Sequence, residues 1–386
     1  SLFRDGISFV GGNGSSGFSH IEVADSKLHG NRDTGLLSEG PPNPAPPAGK
    51  HQFHAFHVSG VEAFDNAGDP TNHHTSTGSG IDLGGLDDGV IENSVAHGNG
   101  GSCDSAEGPV GIWIHDASAV AIRHNVSYSN RTAGYTDGGG FDIDQATTGA
   151  VLERNLAYDN WGPGYMVYSG AAEVASTGNT VRYNVSIDDA RGPKNATSIT
   201  YGAMMLAGYE KDLSVHHNTV QQNSTAEKAT LLNIGGHLRI GLQIQNSTVR
   251  DNIFVAGGGT MLDAGVAPST KQVLMQGNVY YSVAGRWRMN WGTSNFTSLA
   301  KWRKGTGQES FKGKSTGTDA NPGLVPVGAA TWDPTHKPVF APKGAGPAAA
   351  SALDLAADFG TDVGTQDYFD SAVAGSKMIG AVAPKS

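Results

Sequence analysis

Three carboxylates lie within eight residues of one another, around a run of three glycines. Asp137 precedes the glycines, and Asp142 and Asp144 follow them in the sequence Phe-Asp-Ile-Asp. Alternate residues of a β-strand share a face, so Asp142 and Asp144 are expected side by side on one surface, about 6.6 Å apart. Crowding should raise the pKa of one carboxyl group, and such a pair suits a general acid and a general base.

The strand that holds these carboxylates is one copy of a repeated unit, a glycine followed by alternating apolar residues. The unit begins at Gly80, Gly111, Gly140, Gly164 and Gly202. Between its copies lies an asparagine motif with apolar residues on both sides. Its central positions are Asn93, Asn125, Asn155, Asn184, Asn218, Asn252 and Asn278, with Asp25 in an early copy. Repeats of about 26 to 34 residues with short strands predict an all-β solenoid, a single-stranded parallel β-helix in which the asparagines stack as an internal ladder.

Aligning the repeats predicts which side chains share the outer surface. The first outward row is Asp82, Trp113, Asp142, Met166 and Met204, and the second is Gly84, His115, Asp144, Tyr168 and Leu206. Neighbouring coils should lie about 4.8 Å apart, which places Trp113 beside Asp142 and His115 beside Asp144. Aromatic rings beside carboxylates suit a sugar, so we expect a carbohydrate substrate. The predicted substrate-binding residues are His115, Trp113, Tyr168, Asp82, Met166 and Tyr135.

Other roles for these side chains have to be weighed. Asp137 lies in a glycine-rich turn, where aspartates often cap the turn. Asp137, Asp142 and Asp144 together are alternatively a Ca²⁺ site, although no cofactor is otherwise expected. His73 and His74 have no regular metal-ligand spacing with His54 or His57, and no histidine motif frames Cys103.

Composition narrows the class of partner and the organisation of the chain. The net charge of -10 argues against nucleic acid and anionic membranes as partners, and no apolar run has the length of a membrane span. Residues 1–285 are predicted to form the β-helix. Residues 286–386 should form a capping tail that begins with a short helix. This helix is predicted within Asn295 to Gly307, with a stop signal at Gly305. The N-terminal coil has no cap of its own, so an upstream segment or an oligomer partner is expected to cover it.

The repeats and the tail resemble the right-handed parallel β-helix superfamily of pectate-lyase-like and polygalacturonase-like carbohydrate-active enzymes. The resemblance rests on the Gly-Ile-x-Ile and asparagine coils from about Ile7 to Tyr281, and on Asp319-Ala320-Asn321-Pro322-Gly323-Leu324 in the tail. It implies a right-handed β-helix and a bacterial enzyme that is secreted or extracytoplasmic. The signature motifs of polygalacturonases do not occur here as a set, so no catalytic residue is carried over from the family.

These observations favour a glycoside hydrolase that acts by inversion. Asp142 and Asp144 would be the acid and base, in unassigned order, with Asp137 assisting; carboxyl groups about 6.5 to 9.5 Å apart suit that mechanism. A polysaccharide lyase is the first alternative, but its base would be a Lys or Arg, and the nearest are Arg131, Arg191 and Lys194 in turns. A non-catalytic glycan-binding solenoid is the second, and it predicts aromatic residues spread along the coils.

Overall fold

A computed structural model describes residues 4–12, 17–41, 49–134, 136–192, 201–223, 230–235, 242–344, 346–373 and 377–383. Within these residues the chain is built mainly of short strands. In chain order they are β1 (Ile7–Val10), β2 (Phe18–Ala24), β3 (Lys27–His29), β4 (Leu36–Glu39), β5 (Phe53–Ser59), β6 (Glu62–Phe64), β7 (Ile81–Glu92), β8 (Val95–His97), β9 (Val110–Arg123), β10 (Val126–Tyr128), β11 (Gly139–Ile143), β12 (Val151–Glu153), β13 (Leu156–Tyr158), β14 (Tyr165–Ser169), β15 (Ser176–Thr177), β16 (Thr180–Arg182), β17 (Val185–Ile187), β18 (Met204–Gly208), β19 (Glu210–Lys211), β20 (Ser214–His216), β21 (Thr219–Gln222), β22 (Thr230–Ile234), β23 (Ser247–Arg250), β24 (Ile253–Ala256), β25 (Thr260–Ala264), β26 (Val273–Gln276), β27 (Val279–Ser282), β28 (Met289–Trp291), β29 (Ser294–Phe296), β30 (Ser310–Phe311), β31 (Lys314–Ser315), β32 (Val325–Gly328) and β33 (Val339–Ala341). The helices are α1 (Leu299–Thr306), α2 (Pro347–Ser351) and α3 (Leu355–Phe359), with a 3₁₀ turn at Ala172–Val174.

The strands stack into three parallel faces, which confirms the predicted parallel β-helix. Sheet 1 contains β1, β4, the first half of β7, the first half of β9, β11, β14, β18, β22, β25 and β28. Sheet 2 contains β2, β5, the second halves of β7 and β9, β12, β16, β20, β23 and β26. Sheet 3 contains β3, β6, β8, β10, β13, β17, β21, β24 and β27. A typical coil of the described chain therefore contributes one strand to each of three faces, where the sequence indicated at least two.

Alternation of apolar and polar residues explains why the strands stack in register. In sheet 1, Ile81 pairs with Ile112, and Ile112 pairs with Phe141. All three point into the solenoid and are fully buried, so each coil covers the apolar face of the next. The residues between them point outward, and this alternation brings the carboxylates of successive coils onto one surface.

Two ladders of hydrogen-bonded side chains run through the interior, at two of the bends in each coil. Most rungs are asparagines, and one carboxylate lies at the end of each ladder. One contains Asn31, Asn66, Asn99, Asn130, Asn160 and Asp189; the other contains Asn125, Asn155, Asn184, Asn218, Asn252, Asn278 and Glu309. Asn125 and Asn184 are internal, as predicted. The prediction for Asn93 was wrong: it is exposed with a φ of 52°, and Ser94 takes the rung by accepting from the Val61 amide.

The C-terminal residues close the solenoid and then run back along it. Helix α1 lies at the end, where the buried Trp302 ring packs against Tyr280 and Trp291. The predicted stop at Gly305 was wrong: the helix runs to Thr306 and ends at Gly307, which takes the left-handed conformation. Further on, the tail covers the outer face of sheet 3, and its buried residues Ala330, Val339, Ala341, Tyr368, Ala381 and Val382 join the apolar cluster of that face.

Candidate active site

The outward face of sheet 1 brings the predicted carboxylates and aromatic residues into two neighbouring rows. Asp82 pairs with Trp113, and Trp113 pairs with Asp142, so three successive strands present carboxylate, indole and carboxylate. The second row follows two residues further along, where Gly84 pairs with His115. Asp144 continues the pairing beyond the end of β11, because its amide donates to the Ile114 carbonyl at 2.8 Å.

A cavity of about 430 Å³ lies over this part of sheet 1. Eight of the nine predicted site residues line it: Asp82, Trp113, His115, Asp137, Asp142, Asp144, Met166 and Tyr168. Tyr135 lies outside the described residues. The cavity wall is completed by residues of the long turns before β7, β9 and β11, and by Tyr201 before β18. The strands thus form the floor of the cavity, and the turns form its sides.

Asp142 is the most enclosed carboxylate on the cavity floor. Its side chain is 1% exposed, and its Oδ1 atom has no hydrogen-bond partner within the described chain. Burial, with the nearby charges of Asp144 and Asp137, raises the pKa of Asp142 well above its usual range. A carboxyl group in this state holds its proton more strongly than an ordinary aspartic acid and can donate it to a bound ligand.

Asp144 and Asp137 face the same cavity in different surroundings. Burial raises the pKa of Asp144 to about 7, although its Oδ1 accepts from the Gln145 amide at 2.7 Å. Burial also raises the pKa of Asp137, to about 6. Two donors oppose that rise, because the Gly108 amide donates to Asp137 Oδ2 at 3.1 Å and the Tyr201 hydroxyl to Oδ1 at 3.1 Å. The three carboxyl groups therefore differ in how strongly they hold a proton.

His115 lies next to Asp144 in the register of the coils, as predicted, and its charge lowers the pKa of Asp144. Its ring nitrogens contact two other carboxylates: Nδ1 lies 2.6 Å from Asp116 Oδ2, and Nε2 lies 3.4 Å from Asp82 Oδ1. The ring leans over Gly84, where a Cβ would come within 2.2 Å of it, so the glycine makes room for this orientation. Although burial alone would lower it, bonds with Asp116 and Asp82 raise the pKa of His115 well above its usual range.

The aromatic residues of the cavity are held in place by neighbouring coils. The Trp113 indole donates to Ser79 Oγ at 3.0 Å, and its ring centroid lies 5.1 Å from that of His115. Tyr168 is half-buried and packs with Met166 on the other side of the carboxylates. The indole and the phenol therefore flank the Asp142 and Asp144 pair along the stack of coils.

One coil of the predicted surface map, the coil of Met204 and Leu206, was out of register by one residue. Met166 pairs with Met205 and Val167 pairs with Leu206, so Met204 and Leu206 are core residues and Met205 faces the cavity. The glycine motif misled the alignment, because Tyr165 pairs with Met204 and the residue opposite Gly164 is thus Ala203 rather than Gly202.

Sequence reasoning missed Tyr201, Glu39 and Glu107, which also line the cavity. The Tyr201 hydroxyl accepts from the Asp137 amide at 2.7 Å, as well as donating to its carboxylate. None of the three lies on a recognisable strand repeat at the position facing the carboxylates. Tyr201 and Glu107 come from turns that fold over sheet 1, which no spacing in the sequence reports, and Glu39 ends β4, a strand that the repeat alignment did not include.

The described side chains do not form a ready metal site. No three His, Cys, Asp or Glu side chains of the described chain lie close enough together to hold an ion. Ca²⁺ bound by Asp137, Asp142 and Asp144 stays a prediction; each oxygen of Asp137 also accepts a hydrogen bond from a protein donor. Cys103 is buried, and its Sγ lies 4.0 Å from the Glu107 carbonyl oxygen.

Sequence comparison agrees with this architecture. A model of the right handed beta helix region matches residues 5–298. The chain belongs to this family. The expected right-handed winding of the β-helix is therefore confirmed as well. No curated protein sequence matches the chain. None of the helices in the described part of the chain has the length and apolar character needed to cross a membrane.

Two solved structures are similar to this β-helix. One is XylC in complex with xylose, with 11% identity and a TM-score of 0.46 over 95% of this chain. This chain spans 65% of the length of that protein. The other is pectate lyase Pel9A, with 11% identity and a TM-score of 0.36 over 72% of this chain and 80% of that one.

Proposed function

We propose that this β-helix protein is a glycoside hydrolase that cleaves a polysaccharide or oligosaccharide with inversion of configuration. The observation that supports this most strongly is the pair Asp142 and Asp144, which face one cavity from β11 and from the residue that directly follows this strand. Their spacing along the strand, about 6.6 Å by strand geometry, leaves room for a water molecule beside the scissile bond. Trp113 and Tyr168 offer apolar ring faces for the sugar on either side of this pair.

The environments of the carboxyl groups suggest their order in the reaction. Asp142, enclosed and with its pKa raised, is the general acid that donates its proton to the glycosidic oxygen as the bond to the leaving group breaks. Asp144 ionises more readily and is the general base that takes a proton from the attacking water. Asp137, fixed by Tyr201 and the Gly108 amide, supplies further negative charge near the developing oxocarbenium ion.

The lyase alternative has less support in the described cavity. β-Elimination from a uronate needs a basic residue, and cations to neutralise the carboxylate of the sugar. No Lys or Arg is among the described residues that line the cavity. Arg131 packs over the Trp161 ring, and Arg191 pairs with Asp159 at 3.4 Å. Lys194 lies outside the described residues.

Release of reducing ends from a panel of neutral, amino and uronic glycans tests this proposal. Wild type should release them from at least one glycan, and Asp142→Asn and Asp144→Asn should each lower the rate by about 10² to 10⁴-fold. Asp263→Asn is the matched control, because Asp263 lies in the same outward row of sheet 1 three coils beyond Met166 and does not line the cavity. Binding without cleavage would support the glycan-binding alternative, and full activity in both variants would move the site elsewhere.

A further inference from the structure

Three carboxyl groups of the cavity have no part in the proposed hydrolysis, and two of them, Asp82 and Glu39, lie at the same end. Asp82 lies on β7, two strands from Asp142, which corresponds to about 9.6 Å. Leu37 pairs with Asp82, so Glu39 on the same strand extends alongside it at the end of the cavity away from Tyr168. The charge of Glu39 contributes to raising the pKa of Asp82, which agrees with this proximity.

Asp82 lies in the floor of the cavity, and its neighbours do not fully neutralise its charge. Its side chain is 7% exposed, and its Oδ1 has no aligned hydrogen-bond partner within the described chain. The one basic group nearby is His115, at 3.4 Å from Asp82, and that imidazole lies closer to Asp116, at 2.6 Å. A buried carboxylate oxygen whose nearest protein donor is distant and shared with a second carboxylate favours a ligand that brings a donor of its own.

The charge of the whole cavity points to the kind of donor. Its described lining contains six carboxyl groups, no Lys or Arg, and His115 as the single basic side chain: the acids are Glu39, Asp82, Glu107, Asp137, Asp142 and Asp144. An anionic sugar would meet repulsion in such a cavity. A neutral sugar would satisfy hydrogen bonds but leave the charge of the ionised carboxylates unbalanced, whereas an ammonium group would supply both donors and charge.

We propose that Asp82 and Glu39 form a subsite for the ammonium group of an amino sugar. A ring stacked on Trp113 lies between Asp82 and Asp142, so its glycosidic oxygen can reach Asp142 while an amino substituent on the opposite side reaches Asp82. The glycan substrate therefore has a free amine on the ring next to the cleavage point. This assignment of the substrate class rests on the proposed function, but binding of the amine does not require cleavage.

Equilibrium binding of monosaccharides tests the subsite independently of catalysis. Glucosamine and galactosamine are compared with glucose, galactose and their N-acetylated amino forms, by titration followed in NMR spectra of the protein. The amines should bind at least about tenfold more tightly than the uncharged sugars, and added salt should weaken only the amines. Asp82→Asn and Glu39→Gln should each remove this preference, by weakening the binding of the amines to about the level of the uncharged sugars in the same variant.

Control variants distinguish loss of the subsite from a general loss of charge or of folding. Asp88→Asn removes the same charge from an exposed position of β7, outside the cavity, and should keep the preference. Glu39 is exposed, so Glu39→Gln tests the subsite even where Asp82→Asn alters folding. Equal affinity for amines and uncharged sugars, or a preference that survives both variants, would overturn the proposal. Failure of the hydrolase proposal would show separately, as amine binding without cleavage of any glycan.

Discussion

At the scale of single residues, the proton affinities of the cavity carboxyl groups follow from what surrounds each one. Asp142 has an oxygen without a donor, Asp144 accepts from one backbone amide, and Asp137 accepts from an amide and a hydroxyl. More donors favour the ionised form, so the pKa rises most in Asp142 and least in Asp137. Three aspartates of one short stretch thereby become chemically distinct.

The pH dependence of the reaction should report this order. With Asp144 as base and Asp142 as acid, kcat/KM should rise as the pH passes about 7, where Asp144 loses its proton. It should fall again at higher pH, when Asp142 can no longer donate a proton. Initial rates measured across the pH range check this. A profile without a rising limb near neutral pH would contradict the assignment of Asp144 as the base.

Tyr201 is a positioning residue for Asp137, and Tyr201→Phe tests it. The variant removes the hydroxyl that both accepts from the Asp137 amide and donates to its carboxylate. We expect kcat to fall about tenfold with little change in KM, and the pKa of Asp137 to rise further, because one donor is lost. The measurements are kcat, KM and an NMR titration of the side-chain carboxyl carbon of Asp137. An unchanged kcat together with an unchanged Asp137 titration would show that Tyr201 only packs.

The sequence alone could predict the strand residues of the site and the neighbouring Asp137, but not the residues that come from turns of other coils. Asp142 and Asp144 follow from strand alternation, and the pairing of Asp142 with Trp113 follows from the glycine repeat. Tyr201 reaches Asp137 across 64 positions of the chain, from a segment with no repeat signal. Likewise, the preference of His115 for Asp82 and Asp116 depends on a ring rotation over Gly84, which spacing does not report.

At the scale of elements, the internal ladders hold the bends of successive coils together. Asn155 is a central rung: its Nδ2 donates to the Ile122 carbonyl at 2.8 Å and to Asn184 Oδ1 at 3.1 Å, and its Oδ1 accepts from the Asn125 amide at 3.0 Å. The side chain is fully buried. Because every rung satisfies backbone groups of the coil before it, the ladder fixes the register of the strands in sheets 2 and 3.

Asn155→Ala should therefore destabilise the fold strongly. The change leaves buried donors and acceptors without partners, so the free energy of unfolding should fall by about 3 kcal/mol or more. The exposed Asn93 belongs to the same sequence motif but not to the ladder, which makes Asn93→Gly a matched control with an effect within about 0.5 kcal/mol. Chemical denaturation measures both. Equal effects of the two variants would mean that the ladder adds no stability.

Glu210, on strand β19, is a buried carboxyl group that should make the stability of the fold depend on pH. It pairs in register with Ser176, is 1% exposed, and neither of its oxygens has a hydrogen-bond partner within the described chain. Burial, with a contribution from the charge of Asp144, raises the pKa of Glu210 to about 9. The folded state therefore holds a proton that the unfolded chain releases near pH 4.3, about the ordinary value for glutamate.

The sign of the resulting pH effect follows from linkage. A pKa raised by folding contributes stability below about pH 4.3 that is lost progressively as the pH rises to about 9. Glu210→Gln has no proton to lose, so its stability should decline less over this range than that of wild type. Unfolding free energies at several pH values in this range measure the slope. Glu173→Gln, at an exposed site, should keep the wild-type slope; the same slope in Glu210→Gln would refute this explanation.

At the scale of the whole molecule, the repeat determines most of the fold and the long-range contacts complete it. Gly-apolar-x-apolar units and asparagine motifs suffice to predict the parallel solenoid. Where one unit slips, as at Met204, the outward row slips with it, because a shift of one residue exchanges the two faces of a strand. The tail could be predicted to cap the stack, but its packing of Tyr368 and Val339 on sheet 3 depends on contacts far apart in the chain.

The central proposal is inverting hydrolysis of a glycan by Asp142 and Asp144, and analysis of the products by NMR tests it most directly. The wild-type protein is incubated with a glycan that it cleaves, and the first products are recorded before mutarotation. Hydrolysis by the Asp142 and Asp144 pair predicts a saturated reducing end whose anomeric configuration is opposite to that of the cleaved bond. An unsaturated uronate at the new non-reducing end would contradict the account in favour of β-elimination, and a retained configuration would contradict the roles given to the two aspartates.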